Sequence, residues 1–247
     1  MNLGDAPLLF LVFLAAVVPS LVILLWLRSL ERGRKENWDY LLLTFAFGSA
    51  VAAAAALLIE LAATSLLLDP IIREYELLAL DPSAVSFITI IILAPLVEES
   101  VKALGVKRYS RHMWRPRSGL VFGAAAGLGF AATENFLYET TAFLADGAQA
   151  FVALAVLRSF SATLMHASAT SIAGYGIARS KTYGGSWWPY LAIAVLMHAA
   201  FNLLASFGEL FSDTYGEAAG SIGLVLSVLM VVLILLFIRS RLRGYHA

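Results

Sequence analysis

Hydrophobic positions along this chain come in long runs, at residues 6 to 27, 40 to 67, 83 to 105, 119 to 138, 149 to 178, 187 to 208 and 219 to 238, separated by short charged connections. Each run is near or above the about 20 apolar residues that a helix needs to cross a bilayer core. In lipid, every backbone polar group must be satisfied within the chain, so runs of this length predict helices. The expected fold is all-α: a polytopic membrane helix bundle of about seven transmembrane helices. It forms a single domain over residues 1–247, with no repeat, low-complexity segment or linker to suggest a second. The first run exceeds a signal-peptide core, and Asp5 stands where a cleavable signal carries positive charge, so it is expected to be a retained helix.

Composition agrees. Sixty per cent of the residues are hydrophobic and 14% charged, and the mean hydropathy is +0.82, outside the range of soluble domains. The net charge of zero hides an asymmetry. Arg28, Arg32, Arg34 and Lys35 follow the first run, Lys107, Arg108, Arg111, Arg115 and Arg117 the third, Arg179 and Lys181 the fifth, and Arg239, Arg241 and Arg243 the seventh. The alternate connections carry Asp69, Glu74, Glu76 and Asp81, then Glu139 and Asp146, then Glu209, Asp213 and Glu217, with Arg73 the basic exception. By the positive-inside rule the N-terminus is outside and the C-terminus cytoplasmic, and Trp26, Trp38, Trp114, Trp187 and Trp188 fall at the cytoplasmic ends as interfacial anchors. Topology accounts for these short basic loops, so they do not point to nucleic acid. The absence of cysteine excludes disulfides, thiol nucleophiles and cysteine metal sites.

Polar residues inside the runs carry the functional information. Glu98, Glu99 and Lys102 lie in the third, Glu134 and Asn135 in the fourth, His166 in the fifth, and His198 and Asn202 in the sixth. A charge at a helix centre costs roughly 2.5 to 3.5 kcal/mol on insertion scales, so three carboxylates and a lysine facing lipid would cost on the order of 10 kcal/mol. They must face each other, water or a metal. At about 100° per residue, Lys102 projects within reach of both Glu98 and Glu99, while the two glutamates diverge. The expectation is a division of labour, with one glutamate held by Lys102 and the other aimed into the bundle. Pro95 removes a backbone donor one turn earlier, which should kink the helix and free carbonyls. A structural ion-pair clasp between helices explains E-E-x-x-K equally well.

In the fourth run, Gly119, Gly123 and Gly127 recur at four-residue spacing, a pattern that lets a neighbouring backbone approach closely. Phe130, Glu134 and Tyr138 continue the same spacing, so the carboxylate lies on or beside the tightly packed face; a structural pair with Arg158 is the simpler reading of Glu134. The H-x-x-x-N spacing of His198 and Asn202 puts both on one helix face, suiting a ligand or base with a donor beside it. At 1.5 Å per residue, Glu98, His198, His166 and Glu134 lie at depths of roughly 12, 16, 20 and 24 Å, a spread wider than one site. Glu60 and Arg158 read as snorkelling or paired structural residues near the outer ends of their runs.

Taken together, E-E-x-x-K (Glu98, Glu99, Lys102), F-x-x-x-E-N-x-x-Y (Phe130, Glu134, Asn135, Tyr138), an isolated helix histidine (His166) and H-x-x-x-N (His198, Asn202) resemble the PrsW family of intramembrane proteases, related to the type II CAAX prenyl endopeptidases and APH-1. The motifs run from about residue 94 to 202, within a core of about 83–210. In the CAAX relatives the first motif has arginine one position later and the second ends in histidine, where this chain has Lys102 and Glu134. The resemblance implies a peptidase of a prokaryotic plasma membrane that cuts a membrane-anchored protein, with an anti-sigma factor as the family's best-known kind of target. Glu98 is expected to be the general base, with Glu99 held by Lys102. Glu134, His166 and His198 are expected to ligate zinc, with Asn202 orienting a ligand or donating to the oxyanion, and Asn135, Phe130 and Tyr138 in support. A metal-free glutamate protease, a non-catalytic scaffold and a proton-coupled transporter remain the alternatives. H-E-x-x-H and G-x-S-x-G are absent.

Overall fold

A computed structural model describes residues 6–68, 70 and 87–244, and the elements formed by these residues are helical. They are α1 (Ala6–Ser29), α2 (Trp38–Ala46), α3 (Ala53–Ala63), α4 (Ala94–Arg108), α5 (Pro116–Phe160), α6 (Ala162–Tyr183), α7 (Trp188–Ala205), α8 (Phe207–Tyr215) and α9 (Ala218–Arg243). Wider π turns at Phe47–Ala52, Thr64–Leu68 and Thr89–Leu93 join or precede these helices. The acidic connection expected at Asp69 to Asp81 and the N-terminal Asp5 lie outside the described residues.

Among the described residues, five helical segments are long and apolar enough to cross a membrane: Pro7–Ser29, Trp38–Leu68, Pro116–Tyr183, Trp188–Ala205 and Ala218–Arg243. Two differences separate this from the seven runs of the sequence. The third run carries Glu98, Glu99 and Lys102 and is therefore too charged to qualify by composition. The fourth and fifth runs share the single segment Pro116–Tyr183, because the acidic connection expected between them is itself helical. Residues 139–146 contain no glycine or proline to stop a helix, and the break comes at Gly147, whose φ of 83° favours glycine.

That break turns the chain back on itself. A side chain at Gly119 would strike Gly174, at Gly123 the carbonyl of Thr170, and at Gly127 the carbonyl of His166. These pairs descend in one register along antiparallel helices, so the first limb of α5 and α6 form a hairpin in backbone contact.

The first limb of α5 is the centre of the bundle. Residues 118–132 are all buried, as expected of a helix apolar on every side. Its other face takes α2 and the π turn after it: a Cβ at Gly48 would strike the carbonyl oxygen of Ala126, and one at Gly129 that of Phe45. α1 packs alongside, with Phe13 edge-on to Phe136. α9 buries Val231, Leu235, Ile238 and Leu242. The basic loops gather at one end, where Arg115 donates to the carbonyls of Arg32 and Arg34, Arg117 to that of Gly244, and Lys181 to those of Ser110 and Met113.

Candidate active site

The four expected depths collapse into one cluster, because the hairpin register brings α5 and α6 together where Glu134 and His166 face each other. On α4, Lys102 is fully buried and donates to both Glu98 Oε2 (3.1 Å) and Glu99 Oε1 (2.8 Å). The exclusive division of labour between the glutamates is thus corrected: spacings of three and four residues place both within reach of one flexible ammonium. The ammonium also lies 4.1 Å from the centre of the Phe130 ring and 2.8 Å from His166 Nδ1.

An ammonium only donates, so His166 Nδ1 accepts and its proton sits on Nε2. That Nε2–H donates to Glu134 Oε2 at 2.7 Å. On the other side, His198 Nδ1 lies 3.1 Å from Glu99 Oε1, and a carboxylate only accepts, so His198 carries its proton on Nδ1. The lone pair of His198 Nε2 is left facing the cluster, 4.0 Å from Glu98 Oε2. Thr170 donates to the remaining oxygen of Glu99 at 2.8 Å. Glu99 and Glu134 each orient one imidazole, and Glu98 is the carboxylate committed to neither.

This arrangement suits a cation. Glu98, His166 and His198 each offer one donor atom, all within 4.8 Å of one another. On a tetrahedral zinc the donors would stand about 3.3 Å apart; Glu98 Oε2 lies 3.9 and 4.0 Å from the two imidazoles, and the Lys102 ammonium, which rests on Glu98 Oε2 and His166 Nδ1, would have to give way for an ion to take the same lone pairs. Two imidazoles, each hydrogen-bonded to a carboxylate through its far nitrogen, plus one carboxylate, form a common ligand set with its usual outer support. Charge agrees: the three carboxylates Glu98, Glu99 and Glu134 meet two permanent cations, Lys102 and Arg158, leaving one negative charge in excess. The compact donor set takes Glu98 where the sequence suggested Glu134. Glu134 instead accepts from Arg158 (2.9 Å) as well as His166, the structural pairing foreseen for it.

A cavity of about 540 Å³ opens beside the cluster, lined by Glu98, Glu134, His166, His198 and Asn202. Phe130 packs against His166 with ring centres 5.4 Å apart. Asn135 accepts from Arg158 Nε and donates to Thr163, and Tyr138 lies under the Arg158 guanidinium. Asn202 donates to the carbonyl of Ile90 at 2.8 Å. Ile90 lies in the π turn before Pro95, where Ala94 N–H already reaches back five residues to Thr89. The next donor in that register would be the nitrogen of Pro95, which has no hydrogen. The carbonyl freed by Pro95 is therefore real, and Asn202 satisfies it. Glu60 and Arg158, read from the sequence as peripheral, both line this cavity, as does Glu209. A single charge near the end of an apolar run carries no mark that separates a cavity residue from a snorkelling one.

The family model described as PrsW family intramembrane metalloprotease matches residues 36–237, a range that contains every residue of the cluster. Protease PrsW of Clostridioides difficile (strain 630) is 27% identical over 129 residues, covering 51% of this chain and 49% of that protein. The match spans about half the length of that curated relative. No solved structure matches this chain. A family match over most of the length, with the cluster inside it, leads to one conclusion: the chain belongs to the PrsW family of intramembrane metalloproteases.

Proposed function

We propose that this protein hydrolyses a peptide bond of a membrane-anchored protein, an anti-sigma-factor-like substrate by family resemblance, within the cell membrane. We read the basic end as cytoplasmic and the N-terminus as outside, with seven passes once α4 and both limbs of the hairpin are counted. The observation that carries the reading is Glu98, a carboxylate at a cavity wall between two imidazoles that other carboxylates hold in fixed tautomers.

In this reading Glu98 accepts a proton from the attacking water as oxygen adds to the scissile carbonyl, and the proton passes to the leaving amine as the C–N bond breaks. Products are a carboxylate and an amine. Asn202 keeps one amide hydrogen beyond the one given to Ile90, and that hydrogen serves the developing oxyanion. Glu99 and Glu134 keep the imidazoles in register, and Lys102 holds the buried negative charges together. A divalent cation, zinc in our reading, would be held by His166, His198 and one oxygen of Glu98, leaving the other Glu98 oxygen as the base, and would supply Lewis acidity and lower the pKa of water there. One observation favours a metal-free version: Lys102 Nζ lies against both Glu98 and His166, where it serves as the cation itself.

Purified protein in vesicles with a single-pass candidate substrate tests the proposal. Wild type should cut, and Glu98→Gln, nearly isosteric, should lose about 10³-fold in rate, as expected for removal of a general base. Undiminished cleavage by Glu98→Gln would overturn it.

A further inference from the structure

A second cavity, of about 340 Å³, lies at the basic end between the loop that follows α1 and the loop that follows α4. Its lining includes Arg34, Lys35, Glu36, Arg111, His112 and Trp114. Three permanent cations thus meet one carboxylate, and that carboxylate is already engaged: Glu36 accepts from the Ser118 hydroxyl and from the Trp114 indole.

The cations are placed but not neutralised. Gly33, at a φ of 78°, turns the loop, and Arg115 donates to the Arg34 carbonyl at 2.8 Å, fixing its path. The Arg34 guanidinium then stacks on Trp114, 3.3 Å from the ring centre. Stacking occupies the face of the guanidinium and leaves its in-plane N–H groups for an acceptor. Among the described residues, no carboxylate or carbonyl takes them, and Lys35 is likewise exposed without a partner. Arg111 uses only Nε, donating to His112 Nε2, while the His112 ring stacks on Tyr40 at 3.6 Å. Two guanidiniums with free forks, held by aromatic rings around one hollow, are suited to bidentate recognition of phosphate oxygens. The hollow lies just beyond the ends of α1 (Ala6–Ser29) and α2 (Trp38–Ala46), the level of lipid headgroups, with Trp114 beside it.

We propose that this cavity binds a phosphate group, the headgroup phosphate of an anionic phospholipid being the source that its position favours. The site is separate from the catalytic cluster and does not depend on the protease reading. The full chain would be reconstituted in phosphatidylcholine vesicles containing a minor fraction of phosphatidylglycerol, extracted gently, and weighed intact by native mass spectrometry. Wild type should retain phosphatidylglycerol, and Arg34→Gln/Arg111→Gln should retain about ten-fold less, as expected for losing charge-assisted hydrogen bonds. Lys35→Gln, at an exposed residue, should lower retention about three-fold without disturbing the fold, read from an unchanged thermal transition. Arg239→Gln/Arg243→Gln, which removes two charges at the end of α9 that do not line the cavity, should retain as much as wild type. Displacement of the lipid by inorganic phosphate would assign the same cavity to a soluble phosphate; resistance to it assigns the lipid. Equal retention by wild type and Arg34→Gln/Arg111→Gln, or an equal loss in the α9 variant, would overturn the proposal.

Discussion

The interface between α5 and α6 has two ends that differ in kind. From Gly119 to Gly127 it is dry, with backbone against backbone and no room for a methyl group at the glycines. From Phe130 to Tyr138 it is polar, holding Glu134, Asn135, Arg158 and His166 beside a cavity. His166 belongs to both, since its carbonyl is the floor under Gly127 and its ring is the centre of the cluster. The dry end is a positioning device for the polar end. Close-packed interiors transmit small displacements, so a shift at the glycines would move the imidazole relative to α4 and α7.

Substitutions at the two ends should differ in size and in what they disturb. The largest effect on stability is expected at the polar end: Lys102→Met leaves Glu98 and Glu99 buried without their shared cation and should destabilise by about 3–5 kcal/mol, measured by chemical denaturation in detergent. A loss below about 1 kcal/mol would show that water or another cation already screens those carboxylates. Next comes Gly127→Val, which overpacks the dry end and should cost about 1–3 kcal/mol. It should lower cleavage as well, although Gly127 lies outside the cavity lining; cleavage at the wild-type rate in a destabilised variant would uncouple the two ends. Thr170→Val removes one donor to Glu99 from a residue whose carbonyl packs on Gly123, and should cost about 1.5 kcal/mol.

The smallest effect is a dependence on pH far from both ends. Burial raises the Glu31 carboxyl, in the loop after α1, to about 7, against the opposing hydrogen bond from Glu36 N–H and the charge of Arg115. Its folded pKa exceeds the ordinary value of 4.5, so the folded state holds the proton more tightly. The stability from this group is full below the ordinary value and is lost as pH rises through about 7. Wild type should therefore melt at a higher temperature at mildly acidic pH than at mildly alkaline pH, and Glu31→Gln should flatten that slope. A slope unchanged by the substitution would assign it to other groups.

Much of this was legible in the sequence, for identifiable reasons. Four-residue glycine spacing is a direct record of close helix contact, and E-E-x-x-K puts Lys102 within reach of both glutamates by helical geometry, although the expectation that it would hold only one of them failed. The common depth of Glu98, His166, His198 and Glu134 was not legible. It depends on α5 running on to Asp146 before Gly147 turns it, and on a hairpin register that no local pattern encodes. The compact group of possible donors holds Glu98 where the sequence suggested Glu134, because α4 brings its carboxylate between the two imidazoles, whereas the pair of Glu134 with Arg158 was legible as one of its readings. Asn202 likewise serves a carbonyl that Pro95 leaves open on another helix.

If residues from α4, α6 and α7 share one cation, as we propose, direct titration of the purified apoprotein with zinc or cobalt(II) reads it without relying on activity. Wild type should bind one ion, His166→Ala and His198→Ala should each weaken binding by more than about 100-fold, and Glu134→Gln should weaken it by about 10-fold as an orienting residue. Undiminished binding in both histidine variants would show that the imidazoles do not hold the ion.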